Sequence, residues 1–418
     1  MQFANISLEQ TIQAILQSGI VTQQEFTDYL DTFPPEKRPR DGQSLSLAMI
    51  RDGKLTQYQA RMILEGKSPL LAWGEYLLLE KIGEGGMGQV FKAVHRRLNR
   101  LAAIKIIRTE SLDSAEVVKR FYQEVRVASL LNHKNIVGIY EAGEQNNVHF
   151  LVMEYVNGLD LAALLKRCGA LDAVRAVEYL LQVAYGLEYA HKKRILHRDI
   201  KPANLLLDAT GTVKISDMGL ARIMELGPAS EGTTLDQRLT RQGQHLGTVD
   251  YMSPEQAVDA RNCDHRTDIY SLGCTLFRLL TDKPVYLGNT LIEKMIAHAE
   301  AAIPNLRESL PHVPDQLNEV FVKMVAKRPE ERYQSMTEVL ADLRRCLEYL
   351  RTVPEAGIAP PAIAFSHEPG GKLQRHASAT HRAVTEITTA FSKDSQTVRP
   401  TSSATDREVM ASKPPERS

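Results

Sequence analysis

Cysteine is scarce in this chain. Four occur in 418 residues, at positions 168, 263, 274 and 346, and no two form a C-x-x-C pair. That argues against a disulfide framework and against a thiolate zinc site, and it fits a reducing cytoplasm. Net charge is also missing: Lys+Arg and Asp+Glu balance at 51 each. Nothing in the charge balance therefore favours nucleic acid or an anionic membrane as partner. No apolar run approaches the roughly 20 residues of a bilayer span, and the N-terminus lacks the basic start and apolar core of a signal peptide. No internal repeat is visible. What is present is ordinary globular composition, 43% hydrophobic and 24% charged, ample for a sizeable core. The reading is a soluble cytoplasmic protein of two to three domains, taking roughly 150 residues per domain.

The first 70 residues read as a small helical module. Leu8, Ile12, Ile15 and Leu16 share one helical face, behind a capping box of Ser7 and Gln10. Thr22 and Glu25 repeat that signal before Phe26, Tyr29 and Leu30, and Pro34-Pro35 breaks the pattern. Two more helices are expected, at Leu45 to Ile50 and from Thr56 (with Gln59) to Leu64, with Gly66 as C-cap. From Tyr76 the texture becomes strand-like, through Val90, Ala93, Val94 and the run Ala102 to Ile107. A helix carrying Phe121, Val125 and Leu130 follows, then short strands around Ile136 to Tyr140 and His149 to Tyr155. Beyond Gly158 the pattern is mostly helical to about Leu350. The last stretch, 351–418, holds 8 Ser, 8 Thr and 7 Pro among its 68 residues. Such a segment buries too little apolar area to offset chain entropy, so it is expected to be disordered. The class is α+β, with a small β-rich lobe ahead of a larger α-rich lobe. Expected boundaries are 1–70, 76–350 and 351–418.

Chemistry concentrates in three places. Gly83-Glu84-Gly85-Gly86-Met87-Gly88 lies between Ile82 and a continuing strand that starts at Gln89-Val90. Glycines let backbone amides approach phosphate oxygens, although a plain flexible hairpin turn explains the motif alone equally well. A dinucleotide loop would open a helix, and a Walker loop needs Gly-Lys-Ser/Thr, so a β-hairpin lid over phosphates remains. Lys105 sits in the apolar run Ala102-Ala103-Ile104-Lys105. Such a lysine more often marks a solvent-facing edge, but one strand beyond the glycines it is placed for α/β-phosphates. Glu124 on the next helix is one glutamate among many, and is placed to hold that lysine. The decisive string is His197-Arg198-Asp199-Ile200-Lys201-Pro202-Ala203-Asn204, with Asp217 in Ser216-Asp217-Met218-Gly219. Asp199 suits proton acceptance from a hydroxyl, while Asn204 and Asp217 suit Mg²⁺ beside phosphates.

These motifs, in this order over roughly Tyr76 to Leu350, resemble the bacterial eukaryotic-like (Hanks-type) serine/threonine protein kinases. The resemblance implies a bilobal protein kinase fold and transfer of phosphate from ATP, with Mg²⁺, to Ser/Thr residues of protein substrates. By it, Ile82, Gly83, Gly85, Gly88 and Val90 would cover ATP, and Lys105 would pair with Glu124. Met153 would be the gatekeeper. Glu154 and Val156 would offer hinge backbone groups to adenine, with Ala103 and Leu206 either side of the ring and Asp160 reaching the ribose. Asp199 would be the catalytic base, with Lys201 beside it and Asn204 and Asp217 as metal ligands. Glu255, in Ser253-Pro254-Glu255, would pair with Arg332, and Asp268 would brace the catalytic loop. Lys201 and the Gly247-Thr248 pair imply serine/threonine over tyrosine specificity.

Arg198 before Asp199 implies control by phosphorylation of the segment 217–255, with Thr240 as the acceptor among Ser230, Thr233 and Thr234. Gln242 stands where relatives often place a second acceptor. Met218 replaces the usual Phe, and a flexible apolar side chain suits the same slot less rigidly. The N-terminal module is open between docking, dimerisation or autoinhibition and a plain extension packed on the small lobe. The tail is open between an inert linker and autophosphorylation sites at Thr385, Thr388 and Thr389. Two other functions compete. A pseudokinase scaffold would lack Lys105, Asp199 or Asp217, all present here. A small-molecule kinase would not need Glu255 and the Thr248 shelf.

Overall fold

The computed structural model describes residues 6–112, 114–219, 249–259 and 263–352, all within one compact unit, Met1–Ser366. Thr240, Gln242, Gly247 and Thr248, and the tail with Thr385, Thr388 and Thr389, lie outside the described residues.

Capping chemistry sets the first helices. α1 (Leu8–Ser18) starts on a Ser7–Gln10 capping box and stops at Gly19 in the left-handed region. α2 (Gln23–Asp31) uses Thr22 and Glu25, and α3 (Gly42–Arg51) uses Asp41 and Ser44. α4 (Gln57–Leu64) uses Thr56 and Gln59. In each, a side-chain oxygen satisfies a helical N–H that has no partner within the helix.

Six strands follow in one antiparallel sheet: β1 (Ala72–Trp73), β2 (Tyr76–Gly85), β3 (Gly88–His95), β4 (Arg100–Ile107), β5 (Ile139–Gln145) and β6 (Val148–Glu154). Their spatial order is β1-β2-β3-β4-β6-β5. Period-two alternation splits β4 between two cores. Ala102, Ile104 and Ile106 join Phe91, Phe150 and Val152 on the face packed against Ile15, Phe26, Leu45 and Ile63 of the N-terminal helices. Ala103 and Ile107 join Leu151 and Met153 on the other face, against Val117, Phe121 and Val125 of α5 (Ala115–Ala128). Burial on both faces explains why β4 reads as a continuous apolar run and not as an alternating one. The N-terminal module is thus packed on the small lobe and shares its core.

The larger lobe is built on α6 (Leu161–Cys168), the 20-residue α7 (Ala173–Lys192), α8 (Pro254–Asp259), α9 (Arg266–Thr281), α10 (Leu291–Glu300), α11 (Leu306–Ser309), α12 (Asp315–Met324) and α13 (Met336–Thr352). Its core gathers Leu180, Leu187, Ile200, Leu276, Phe321 and Leu343, all fully buried. α9 and α12 approach closely: a Cβ at Gly273 would lie 2.6 Å from Val325 Cγ1, so only glycine fits there. The mostly helical stretch expected beyond Gly158 also holds strands that the sequence reading did not place. A second sheet, β7 (Gly158–Asp160), β8 (Leu205–Asp208) and β9 (Val213–Ile215), flanks the catalytic segment. Strands of three or four residues are too short to show a period in sequence.

Candidate active site

His197 to Asn204 runs between α7 and β8, and its shape is imposed from beneath. Asp268, in the first turn of α9 and fully buried, accepts the backbone N–H of His197 at 3.0 Å and of Arg198 at 2.7 Å. His191 Nε2 lies 2.8 Å from the same carboxylate. Arg198 has φ 68°, a left-handed conformation that a non-glycine residue holds only when its surroundings fix it. Burial works against the Asp268 carboxylate, but the bonds from His191 and His197 outweigh it, so its pKa lies below the ordinary 3.8. The brace read from sequence is in place.

His197 ties this segment to the next one. Its Nδ1 accepts the Asp199 N–H at 3.1 Å, and its Nε2 lies 2.8 Å from the Ser216 carbonyl. An accepting Nδ1 and a donating Nε2–H define the neutral tautomer. The peptide just before Asp217 is thereby fixed to the peptide just before Asp199. Sequence reading gave His197 no role of its own.

Three residues of the string converge. Lys201 Nζ lies 2.7 Å from Asp199 Oδ2, and the Asn204 amide nitrogen donates to that oxygen at 3.0 Å and to the Asp199 carbonyl at 2.8 Å. Lys105 Nζ meets Asp217 Oδ1 at 2.6 Å. Asp217, with φ 57°, is also left-handed. Burial would raise its pKa, yet Lys105 first, with Lys201 behind it, holds the carboxyl below 3.8. Beside the Glu124 pairing expected from sequence stands one not expected: among the described residues Lys105 forms an ion pair with Asp217. The left-handed turn at Asp217 brings its carboxylate to the lysine directly.

The apolar residues expected around adenine do come together. Ala103 and Met153 belong to one buried cluster, and Val90, Val156 and Leu206 pack against it. Gly85 and Gly88 face each other across the β2–β3 turn, so the glycine segment is a hairpin with Gly83 and Ile82 at its base. A Cβ at Gly88 would fall 1.9 Å from the Ile106 carbonyl oxygen, which makes glycine obligatory there. Ile82 is 46% exposed. The Glu154 N–H is committed to the Gly138 carbonyl at 2.7 Å, so a ligand contact at this residue falls to its own carbonyl. Its carboxylate meets Lys214 Nζ at 3.0 Å, joining β6 to β9. Asp160 caps α6, accepting the Ala163 N–H at 2.8 Å.

Asn204 and Asp217 suit a hard divalent cation. Donation by the Asn204 amide nitrogen to Asp199 fixes which way that amide points and turns its carbonyl oxygen to the other side. Carbonyl and carboxylate oxygens are the ligands such a cation takes. Among the described residues no group of three or more His, Cys, Asp or Glu is placed to hold a metal alone. Two protein oxygens suit a cation that completes its shell with water and phosphate.

Farther out, Glu255 takes both arms of Arg332, at 2.6 and 2.7 Å, and accepts the Thr267 hydroxyl at 2.9 Å. Gln256 adds a link that nothing in the sequence suggested: its amide donates to the Arg198 carbonyl at 2.9 Å, joining α8 to the catalytic segment. Met218 is 3% exposed and sits in the larger core, so it fills the slot expected of it.

The protein kinase domain family matches residues 76–343. This chain belongs to that family. Its relatives include the serine/threonine-protein kinase PrkC of Bacillus subtilis, 36% identical over 66% of this chain and 41% of PrkC. The serine/threonine-protein kinase PknB of Mycobacterium tuberculosis is 36% identical over 65% of this chain and 42% of PknB. The chain thus spans about two fifths of the length of these curated relatives. The crystal structure of the Mycobacterium tuberculosis PknI kinase domain aligns with TM-score 0.51 over 66% of this chain and 97% of that domain, at 23% identity, which supports the fold alone. The chain is of the bacterial Hanks type, and its two lobes are those of a kinase domain.

Proposed function

We propose that this chain transfers the γ-phosphoryl group of ATP to serine and threonine hydroxyls of proteins. The observation that carries the reading is the convergence of Lys201 and Asn204 on Asp199 Oδ2, with Lys105 on Asp217. Asp199, oriented from both sides, accepts the proton of the attacking hydroxyl. Lys201 offsets negative charge beside it, and Lys105 holds phosphate oxygens under the Gly83–Gly88 hairpin. Phosphoryl transfer asks for positioning and charge neutralisation more than for covalent chemistry. Mg²⁺, held by Asn204 and Asp217, would neutralise charge on the β- and γ-phosphates. Ala103, Met153, Val156 and Leu206 would enclose adenine, with Glu154 at the hinge and Asp160 toward the ribose.

The wider reading keeps three parts: a helical module at 1–70, the kinase domain at 76–350 and a tail at 351–418. Partners are protein substrates, a second copy of the chain among them, since Thr240, Thr385, Thr388 and Thr389 are proposed autophosphorylation sites. Self-association would run through the kinase domain or the module. The balanced charge supports protein and not nucleic acid as substrate. Four free cysteines support a cytoplasmic setting. No helix among the described residues is long and apolar enough to cross a membrane.

The test is incubation with γ-labelled ATP, Mg²⁺ and a generic basic protein, followed by identification of the labelled residue. Label on serine or threonine supports the reading. Label on tyrosine, or none although ATP binds, overturns it.

A further inference from the structure

The N-terminal helices touch the sheet with more than apolar side chains. β1 accompanies β2 only at Tyr76 and Leu77. From Leu78 onward that edge of β2 has no strand beside it among the described residues. On its other side the register with β3 slips at Leu79, between the pairs Leu78↔Ala93 and Glu80↔Lys92. The carbonyls of Leu78 and Leu79 therefore lie at the first of two breaks in this ladder, the second falling between Lys81 and Gly83.

Each of them receives a hydrogen bond from the start of α4. Gln59 Nε2 donates to the Leu78 carbonyl at 2.8 Å, and Thr56 Oγ1 donates to the Leu79 carbonyl at 2.5 Å. The same side chains close the capping box: Gln59 Oε1 accepts the Thr56 N–H at 2.9 Å, and Thr56 Oγ1 accepts the Gln59 N–H at 3.1 Å. Capping of this kind normally serves the helix and needs no burial. Here Gln59 is 2% exposed, and both residues also use a side-chain donor on the strand. Apolar contact already attaches α4, for instance Tyr58 against the Phe91 ring at 5.7 Å between centroids, so attachment alone does not call for the two polar bonds.

Leu79 stands four residues ahead of Gly83, roughly 13 Å along an extended strand. The far end of the glycine hairpin is held by Glu84, which pairs with Lys81 at 2.6 Å and Arg108 at 2.8 Å. The near end is held by α4. We propose that Thr56 and Gln59 are positioning residues for the nucleotide: by fixing β2 at its first bulge they set the height of the Gly83–Gly88 hairpin over the phosphates. The N-terminal module is then a working part of the ATP site. This rests on the reading of that hairpin as the phosphate cover.

The test uses the full chain, with ATP varied at saturating basic protein substrate, ADP affinity by calorimetry and thermal melting. Thr56→Asp keeps a good N-cap acceptor but cannot donate to the Leu79 carbonyl. Gln59→Met removes the donor to Leu78 without adding charge, and it carries the test if Thr56→Asp fails to fold. Each should raise the ATP KM and weaken ADP about fivefold, the worth of one hydrogen bond, with kcat and the protein-substrate KM unchanged. Thr56→Ser, which keeps both bonds, should match wild type. Variants that melt at lower temperature with ATP KM and ADP affinity unchanged would show a purely structural role and overturn the proposal. A wild-type chain that binds no ADP would overturn the nucleotide reading itself, and the proposal with it.

Discussion

Asp199 is gripped by a cation and an amide on the same oxygen, and Asp217 meets the Lys105 ammonium. Lys105→Met removes the charge that holds Asp217 ionised and the contact intended for phosphate. The expected loss is about 10²-fold or more in kcat/KM for ATP, by steady-state kinetics. Unchanged ATP kinetics would mean that Lys105 only fills space. A second expectation concerns His298 on α10. Burial, then Lys327 and Lys294, push its pKa down from 6.5 to about 3, with its Nδ1 2.8 Å from the Tyr270 hydroxyl. A pKa depressed by folding means the fold binds fewer protons than the unfolded chain. That contribution is complete above 6.5 and is lost as pH falls toward 3. Urea unfolding between pH 7 and 5 should therefore show wild type losing stability that His298→Gln does not lose; equal slopes would count against it. At this scale the string from His197 to Asn204 was legible because its members are contiguous. The pairing of Lys105 with Asp217 was not, because it depends on one left-handed residue that no propensity marks. Gln256 was equally hidden, since its partner Arg198 lies 58 positions away.

Among elements, the end of the segment 217–255 is pinned to the larger lobe by Glu255 and Arg332, the latter 2% exposed. Burial opposes ionisation of Glu255, but Arg332 outweighs it and holds the carboxyl below its ordinary range. Arg332→Met leaves that carboxylate unpaired, and the expected cost is about 3–5 kcal/mol in denaturant unfolding. A cost below about 1 kcal/mol would class it with exposed pairs. α7 depends on Asp172, which accepts the Arg175 N–H at 2.9 Å. Asp172→Ala should cost only about 1 kcal/mol by the same measurement. Long elements with caps and a clear period, such as α1, α2 and α4, were readable in sequence. β7, β8 and β9 were not, because three or four residues carry no period, and their pairing joins Gly158 to Asp208 across 50 positions.

For the whole molecule, the sheet carries cores on both faces, and the N-terminal helices supply half of one. Ile15, Phe26, Leu45 and Ile63 are each 3% exposed or less. Their burial alone corresponds to about 6–12 kcal/mol at about 1.5–3 each. That is comparable with the entire stability of a typical domain, about 5–15 kcal/mol. Removing residues 1–71 should therefore abolish cooperative melting of the small lobe, and a truncated chain that melted like the full one would refute this. The sequence left the module open between a separate docking element and a packed extension, because an amphipathic helix does not say which apolar face it meets. The site and the scaffold meet in the proposal that the chain is an active kinase whose proton acceptor is Asp199. The most direct measurement is the rate of phosphate incorporation into serine and threonine by wild type and Asp199→Asn at equal nucleotide occupancy. The account predicts turnover in wild type and a loss of about 10²-fold or more in the variant, with ATP binding retained. Equal rates in the two, or no incorporation by either despite bound ATP, would contradict it.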